Sequence, residues 1–180
     1  MRIGFVVANE GVEESELREP WKAVRGAGGR PQLVAPEPGE VRAMHHLDKA
    51  GTFPVDFTTS EVNPDALDAI VLPGGIANPD RLRMDRQAIR LVQAMFAAGK
   101  PAAVICHGPW TLVEADVVRG RTLTSWPSLQ TDIRNAGGTW RDEEVQVCSS
   151  GPNTLVTSRK PDDLPAFCTS LLEVFASARG

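Results

Sequence analysis

The stretch Pro101-Ala102-Ala103-Val104-Ile105-Cys106-His107-Gly108-Pro109-Trp110 constrains this chain more than any other. Its small and β-branched residues read as a buried strand ending at Cys106. The Gly-Pro pair then opens a helix at about Pro109, where the missing N–H of proline costs nothing. A cysteine at such a corner rides on a tight turn that pushes its sulfur out of the sheet, as at the nucleophile elbow of hydrolases. It also lies near the positive end of the helix dipole, which favours thiolate over thiol. The plain alternative, a small hydrophobe in a core strand, suits free cysteines in general. The helix-opening Gly-Pro and the ends of the other strands weigh against it here.

Those other strands alternate with helices. A first apolar strand over 2–8 runs into the acidic loop Asn9-Glu10-Gly11-Val12-Glu13-Glu14-Ser15-Glu16, and a helix follows over 14–26. Acids in a first helical turn complement the dipole, an account that covers Glu13 and Glu14. Pro20 is tolerated near the helix start and marks a possible shift of its boundary. A second strand over 31–36 is bounded by prolines, and residues 37–60 are the least regular part, with Met44-His45-His46-Leu47-Asp48 in a polar loop. Adjacent histidines point in different directions on a regular backbone, so no metal site is expected there. A third strand over 68–72 breaks into Pro73-Gly74-Gly75, whose backbone N–H groups can point into a site unhindered by side chains. Residues 85–100 form an amphipathic helix with Ile89, Val92 and Phe96 on one face and Gly99 as its stop. After the Cys106 strand come a short strand from 122, a helix over 127–136, a hairpin of 145–148 with 155–158, and a last helix over 161–178.

This alternation predicts an α/β fold with a mostly parallel sheet and helices on both faces. In such sheets, sites collect at the carboxyl ends of the strands. Three of those ends carry unusual residues: the acidic loop, the Pro-Gly-Gly turn and Cys106-His107. If they meet at one rim, a Cys106 thiolate faces the Gly74 and Gly75 amides, donors suited to an oxyanion formed when sulfur attacks a carbonyl. Glu16 beside that thiolate cannot comfortably ionise as well. The pair would share one proton, which makes Glu16 a candidate for proton transfer. His107 need not turn its side chain toward Cys106, and its backbone N–H is then what it offers.

The bulk numbers limit what else the chain can be. Its 180 residues suit one domain, 1–180, with a well-buried core. Hydrophobic and charged contents of 42% and 23% exclude a disordered chain, and a net charge of −4 supplies no basic footprint for nucleic acid or anionic lipid. Cys106, Cys148 and Cys168 are three and widely spaced, which suits a reducing compartment rather than a disulfide framework. Cys148 and Cys168 read as packing residues. No run approaches membrane-spanning length and the apolar start is too short for a signal-peptide core, so the expected location is cytoplasmic.

Ala103-Val104-Ile105-Cys106-His107-Gly108-Pro109, together with Val71-Leu72-Pro73-Gly74-Gly75 and Glu13-Glu14-Ser15-Glu16, resembles the PfpI (intracellular protease I) family, in the superfamily of the parkinsonism-associated protein deglycase. Gly120-Arg121-Thr122-Leu123-Thr124-Ser125, Asn135-Ala136-Gly137-Gly138 and Thr157-Ser158-Arg159 extend the likeness over nearly the whole chain. The resemblance implies a flavodoxin-like three-layer sandwich, class I glutamine amidotransferase-like, with no cofactor. It further implies a nucleophilic Cys106 in an elbow, Glu16 hydrogen-bonded to its sulfur, an oxyanion site from the Gly75 and His107 amides, and a homodimer or larger homo-oligomer. In the PfpI branch an acid from a neighbouring subunit reaches the Cys-His pair. Here Asp80, in Asn78-Pro79-Asp80-Arg81-Leu82-Arg83, stands where a glutamate is usual. Its other reading is a helix N-terminal acid. The segment Cys148-Ser149-Ser150-Gly151-Pro152-Asn153 departs from the short Asp-Gly turn usual in the family.

The implied activity is of glyoxalase III or protein deglycase type. Cys106 attacks a small 2-oxoaldehyde or a glycated side chain, and Glu16 shuttles the proton. Two further readings stay open: a non-enzymatic stress protein whose Cys106 oxidises with peroxide, and a cysteine peptidase.

Overall fold

The computed structural model describes residues 1–178. In chain order its elements are β1 (Arg2–Val6), β2 (Glu10–Glu13), α1 (Glu14–Gly26), β3 (Arg30–Ala35), β4 (Glu40–His45), β5 (Asp48–Pro54), β6 (Phe57–Thr58) and β7 (Ala69–Leu72). There follow α2 (Ala77–Leu82), α3 (Arg86–Ala97), β8 (Ala102–Ile105), α4 (Pro109–Glu114), β9 (Thr122–Leu123), α5 (Gln130–Asn135), β10 (Thr139–Trp140), β11 (Val145–Cys148), β12 (Leu155–Ser158) and α6 (Leu164–Ser177).

Seven strands form the central sheet in the order β11-β12-β8-β7-β1-β3-β6, parallel throughout except for the β11–β12 hairpin. Alternate residues of the strands feed two separate cores, as the period-2 pleat requires. Ile70, Leu72 and Val104 face α3, α4 and α5, where Val92, Met95, Leu112 and Ile133 are buried. Val71, Ala103 and Ile105 face α1 and α6, where Leu17, Phe167 and Phe175 are buried. This is the three-layer α/β sandwich expected. Among the described residues no helix is long and apolar enough to cross a membrane.

Three stretches differ from the reading of the sequence. The acidic loop is half strand: β2 pairs in parallel with β4, and β4 with β5, as a small second sheet. The irregular stretch is therefore mostly ordered hairpin, and only His46-Leu47 turns between β4 and β5, with His46 at φ 56°. The alternating burial of β4 was visible as polar-apolar alternation from Glu40 to Ala43, but too short to outweigh the loop-like His-His pair. Pro20 lies inside α1 rather than at a boundary; it is buried, and the helix runs through it.

Candidate active site

The backbone of Cys106 has φ 62°, in the left-handed region. For a non-glycine residue this costs about 1–3 kcal/mol, comparable to what burying one large apolar side chain contributes, about 1.5–3 kcal/mol. The strain persists because the peptide is pinned on both sides. Its N–H donates to the Ser158 carbonyl at 3.0 Å, and its carbonyl accepts the Trp126 N–H at 2.9 Å. The next turn closes through the Gly108 N–H on the Ile105 carbonyl, also 2.9 Å. A side chain at Gly108 would put its Cβ 2.6 Å from the Leu72 carbonyl, so only glycine lets the elbow lie this close to β7.

Glu16 enters from the first turn of α1 and is wholly buried. The Gly74 N–H donates to its Oε2 at 2.8 Å. This corrects one expected role: the Gly74 amide is occupied in orienting the carboxyl, while the N–H groups that point at the Cys106 sulfur are those of Gly75 and His107. Asn78 holds the Pro-Gly-Gly turn in place. Its Nδ2 donates to the Pro73 and Gly74 carbonyls, both at 3.0 Å, and its Oδ1 accepts the Ala8 N–H at 2.7 Å. Gly75 adopts φ 87°, and any Cβ there would press on the Gly11 carbonyl.

Glu16 Oε1 has no nitrogen or oxygen partner, and the carboxyl abuts the Cys106 thiol. Burial pushes the Glu16 carboxyl up to about 8, against the smaller pull of its hydrogen bonds with Cys106 and Gly74. Burial and the neighbouring Glu16 charge push the Cys106 thiol up as well, against the Gly75 and His107 N–H groups. Both shifts run toward the protonated forms. Desolvation and the Glu16 charge work against the dipole-favoured thiolate that the sequence suggested.

The His107 side chain does face the sulfur, contrary to what adjacency suggested: Nδ1 lies 3.2 Å from Sγ. The left-handed turn at Cys106 rotates the two consecutive side chains to the same side. Burial lowers His107 to about 4, so the ring is neutral and able to accept a proton. It stacks on Trp126, with centroids 5.5 Å apart and planes at 21°, and meets Trp110 at 5.4 Å.

These groups open on a cavity of about 200 Å³ lined by Glu13, Glu16, His46, Leu47, Gly75, Ile76, Cys106, His107, Trp126 and Pro161. Glu13, read from sequence as a dipole acid, ties the β4–β5 turn to the site. Its Oε2 accepts the His46 N–H at 2.9 Å, and His45 Nδ1 lies 3.6 Å from its Oε1. The contributions of His46, Leu47 and Trp126 were missed because nothing local in their segments signals the site; folding alone brings them to it. Asp80 is exposed in the first turn of α2 and does not line the cavity of its own chain. Among the described residues no group of three or more His, Cys, Asp or Glu side chains could hold a metal ion.

The model of the DJ-1/PfpI family matches residues 1–174. Deglycase PfpI of Pyrococcus furiosus is 39% identical over 97% of this chain and 99% of its own length. Deglycase PH1704 of Pyrococcus horikoshii is 38% identical over the same shares. The crystal structure of a ThiJ/PfpI domain protein from Brachyspira murdochii superposes with a TM-score of 0.88 at 22% identity, covering 98% of this chain and 96% of that one, a likeness of fold. With the family model spanning almost the whole length and these relatives matched nearly end to end, the chain belongs to the DJ-1/PfpI family.

Proposed function

We propose that this chain is a cysteine-dependent enzyme acting on reactive carbonyls, of deglycase or glyoxalase type. Cys106 is the nucleophile, His107 its base and Glu16 the proton carrier. The observation that carries this reading is the fully buried Glu16, held by the Gly74 amide against the nucleophilic sulfur. A carboxyl kept protonated in that place can give a proton to an adduct on sulfur and take one back. That two matched relatives bear the name deglycase supports it.

For a 2-oxoaldehyde the steps balance without a cofactor. His107 Nδ1 takes the thiol proton as sulfur bonds to the aldehyde carbon, and the Gly75 and His107 amides hold the oxygen as its charge develops. Glu16 protonates that oxygen, giving a hemithioacetal. The resulting carboxylate removes the proton from the former aldehyde carbon and returns it to the neighbouring carbon, while the hydroxyl proton passes to the oxygen on that neighbouring carbon, leaving a 2-hydroxy thioester. Water releases the 2-hydroxy acid as its carboxylate, the acid proton restores Glu16, and the proton on His107 returns to sulfur. A glycated side chain presents the same carbonyl-derived carbon to the same sulfur. The cavity of about 200 Å³ lies below the size range of drug-sized ligand sites and suits a few-carbon carbonyl better than an extended peptide.

The functional unit is a homo-oligomer of the single domain 1–180, in which Asp80 of a second copy approaches His107. Exposed Ile76 and Met84 flank Asp80 in sequence and supply apolar surface for such a contact. Incubation with methylglyoxal tests the activity: the protein should form lactate, and Cys106→Ser should form none. No lactate and no deglycation of a glycated peptide, alongside selective peroxide oxidation of Cys106, would replace this reading with that of an oxidation sensor.

A further inference from the structure

A second cavity, of about 330 Å³, lies between α1 and the ends of β3 and β5. No residue lines both it and the Cys106 cavity. It is the larger of the two, and its volume falls in the range of about 300–1,000 Å³ that small-molecule sites occupy. Its walls are apolar and held from behind. Leu17 and Leu33 are buried core residues, and the Trp21 ring packs on the wholly buried Phe5 with centroids 5.1 Å apart. Phe53, half-buried on β5, forms another wall, and the Arg18 guanidinium lies 4.8 Å from the centroid of its ring.

The polar groups around these walls are nearly all donors. Arg18, Lys22 and Arg25 line the cavity at i, i+4 and i+7 of α1, a spacing that puts them on one helix face. Arg18 Nε donates to Glu14 and Lys22 Nζ to Glu19, and neither acid lines the cavity. Among the described residues no carboxylate pairs with Arg25. Trp110 and Trp140 donate their indole N–H groups to Asp132 and Ser125, whereas that of Trp21 has no acceptor among the described residues. Against three cations the lining holds one acid, Asp56, whose Oδ2 accepts the Leu33 N–H at 2.7 Å.

We propose that this cavity binds a small amphiphilic anion, a flat apolar ring system that carries a carboxylate. The rings cover Trp21 and Phe53 and take that surface out of water. The carboxylate meets Arg25, the cation of the lining without an acid, in a charge-assisted hydrogen bond. The inference does not rest on the carbonyl chemistry of Cys106. A second copy of the chain is the competing occupant of the same face.

The chain has four tryptophans, so its indole N–H signals in a proton–nitrogen NMR spectrum are four, and Trp21→Phe and Trp126→Phe identify two of them. Titration with 2-naphthoate should shift the Trp21 signal saturably and leave that of Trp126, in the Cys106 cavity, in place. The uncharged counterpart, 2-naphthalenemethanol, should bind about tenfold more weakly, the worth of one hydrogen bond to a charged group. Arg25→Glu, at an exposed position, should remove that difference, and Phe53→Ala should weaken both probes. A Trp21 signal that does not move, equal binding of acid and alcohol by the wild type, or a preference for the acid that survives Arg25→Glu would overturn the proposal. Light scattering covers the competing occupant. If naphthoate leaves an oligomeric wild type untouched and Arg25→Glu splits it into monomers, the face is an interface between copies and the ligand site falls.

Discussion

Cys106 and Cys148 stand at opposite ends of the central sheet and are about equally buried. Beside Cys106 stand Glu16, an acid biased toward keeping its proton, and the neutral His107, 3.2 Å from the sulfur. Around Cys148 stand the permanent cation of Arg121 and the Thr122 N–H, which donates to the sulfur at 3.4 Å. Burial therefore does not decide what a cysteine does. Its charge partners do. The rim site is built to move protons when a carbonyl arrives, whereas the sulfur at the other end of the sheet faces a fixed cation and a backbone donor.

The largest expected effect separates the two sulfurs by turnover. Cys106→Ser should lower methylglyoxal turnover at least about 10³-fold, while folded Cys148→Ser stays within about twofold of wild type. Comparable losses at both positions would erase the distinction. Next, Glu16→Gln should reduce kcat by about 10²–10⁴-fold, the usual worth of a positioned proton carrier. Glu16→Leu should be worse in both activity and stability, because it also strands the Gly74 N–H. Equal behaviour of the two variants would deny Glu16 its contact with that amide.

A smaller effect should appear in stability against pH. The folded Glu16 binds its proton more tightly than the unfolded one, so its contribution is fully present below about pH 4.5 and is lost as pH rises to about 8. The stability of wild type relative to Glu16→Gln should fall by roughly 1 kcal/mol per pH unit inside that window, measured by urea unfolding. His107 runs the opposite way. Its lowered value makes its contribution shrink as pH falls from 6.5 to about 4, so His107→Gln should flatten the acid side. A flat difference curve for either variant would show that the group titrates normally. The smallest effect belongs to Asp80→Asn, about fivefold on turnover, the value of a single hydrogen bond, and only where light scattering shows an oligomer.

Much of this architecture could be read before folding. The apolar runs at β1, β7 and β8 and their turn residues placed three strand ends, and Gly108-Pro109 marked the elbow. The second sheet could not be read, because β2 and β4 pair across some thirty residues of sequence and bury Val12, Val41 and Ala43 in a core shared with β1 and β3. The partnership of Glu13 with the His46 N–H likewise spans 33 residues of sequence and leaves no local trace.

What the chain order alone settles is which residues reach the carboxyl rim, since strand length and turn chemistry are local properties. Which donor serves which acceptor is settled only by packing. Gly74 and Gly75 are adjacent glycines with equal claims on a reacting oxygen, yet the first is taken by Glu16 and only the second points at sulfur. Cys148 likewise gives no local sign that the Arg121 guanidinium, 27 residues earlier, lies beside it. Protonation follows desolvation and neighbouring charge, and both are fixed by which distant segments close over a side chain.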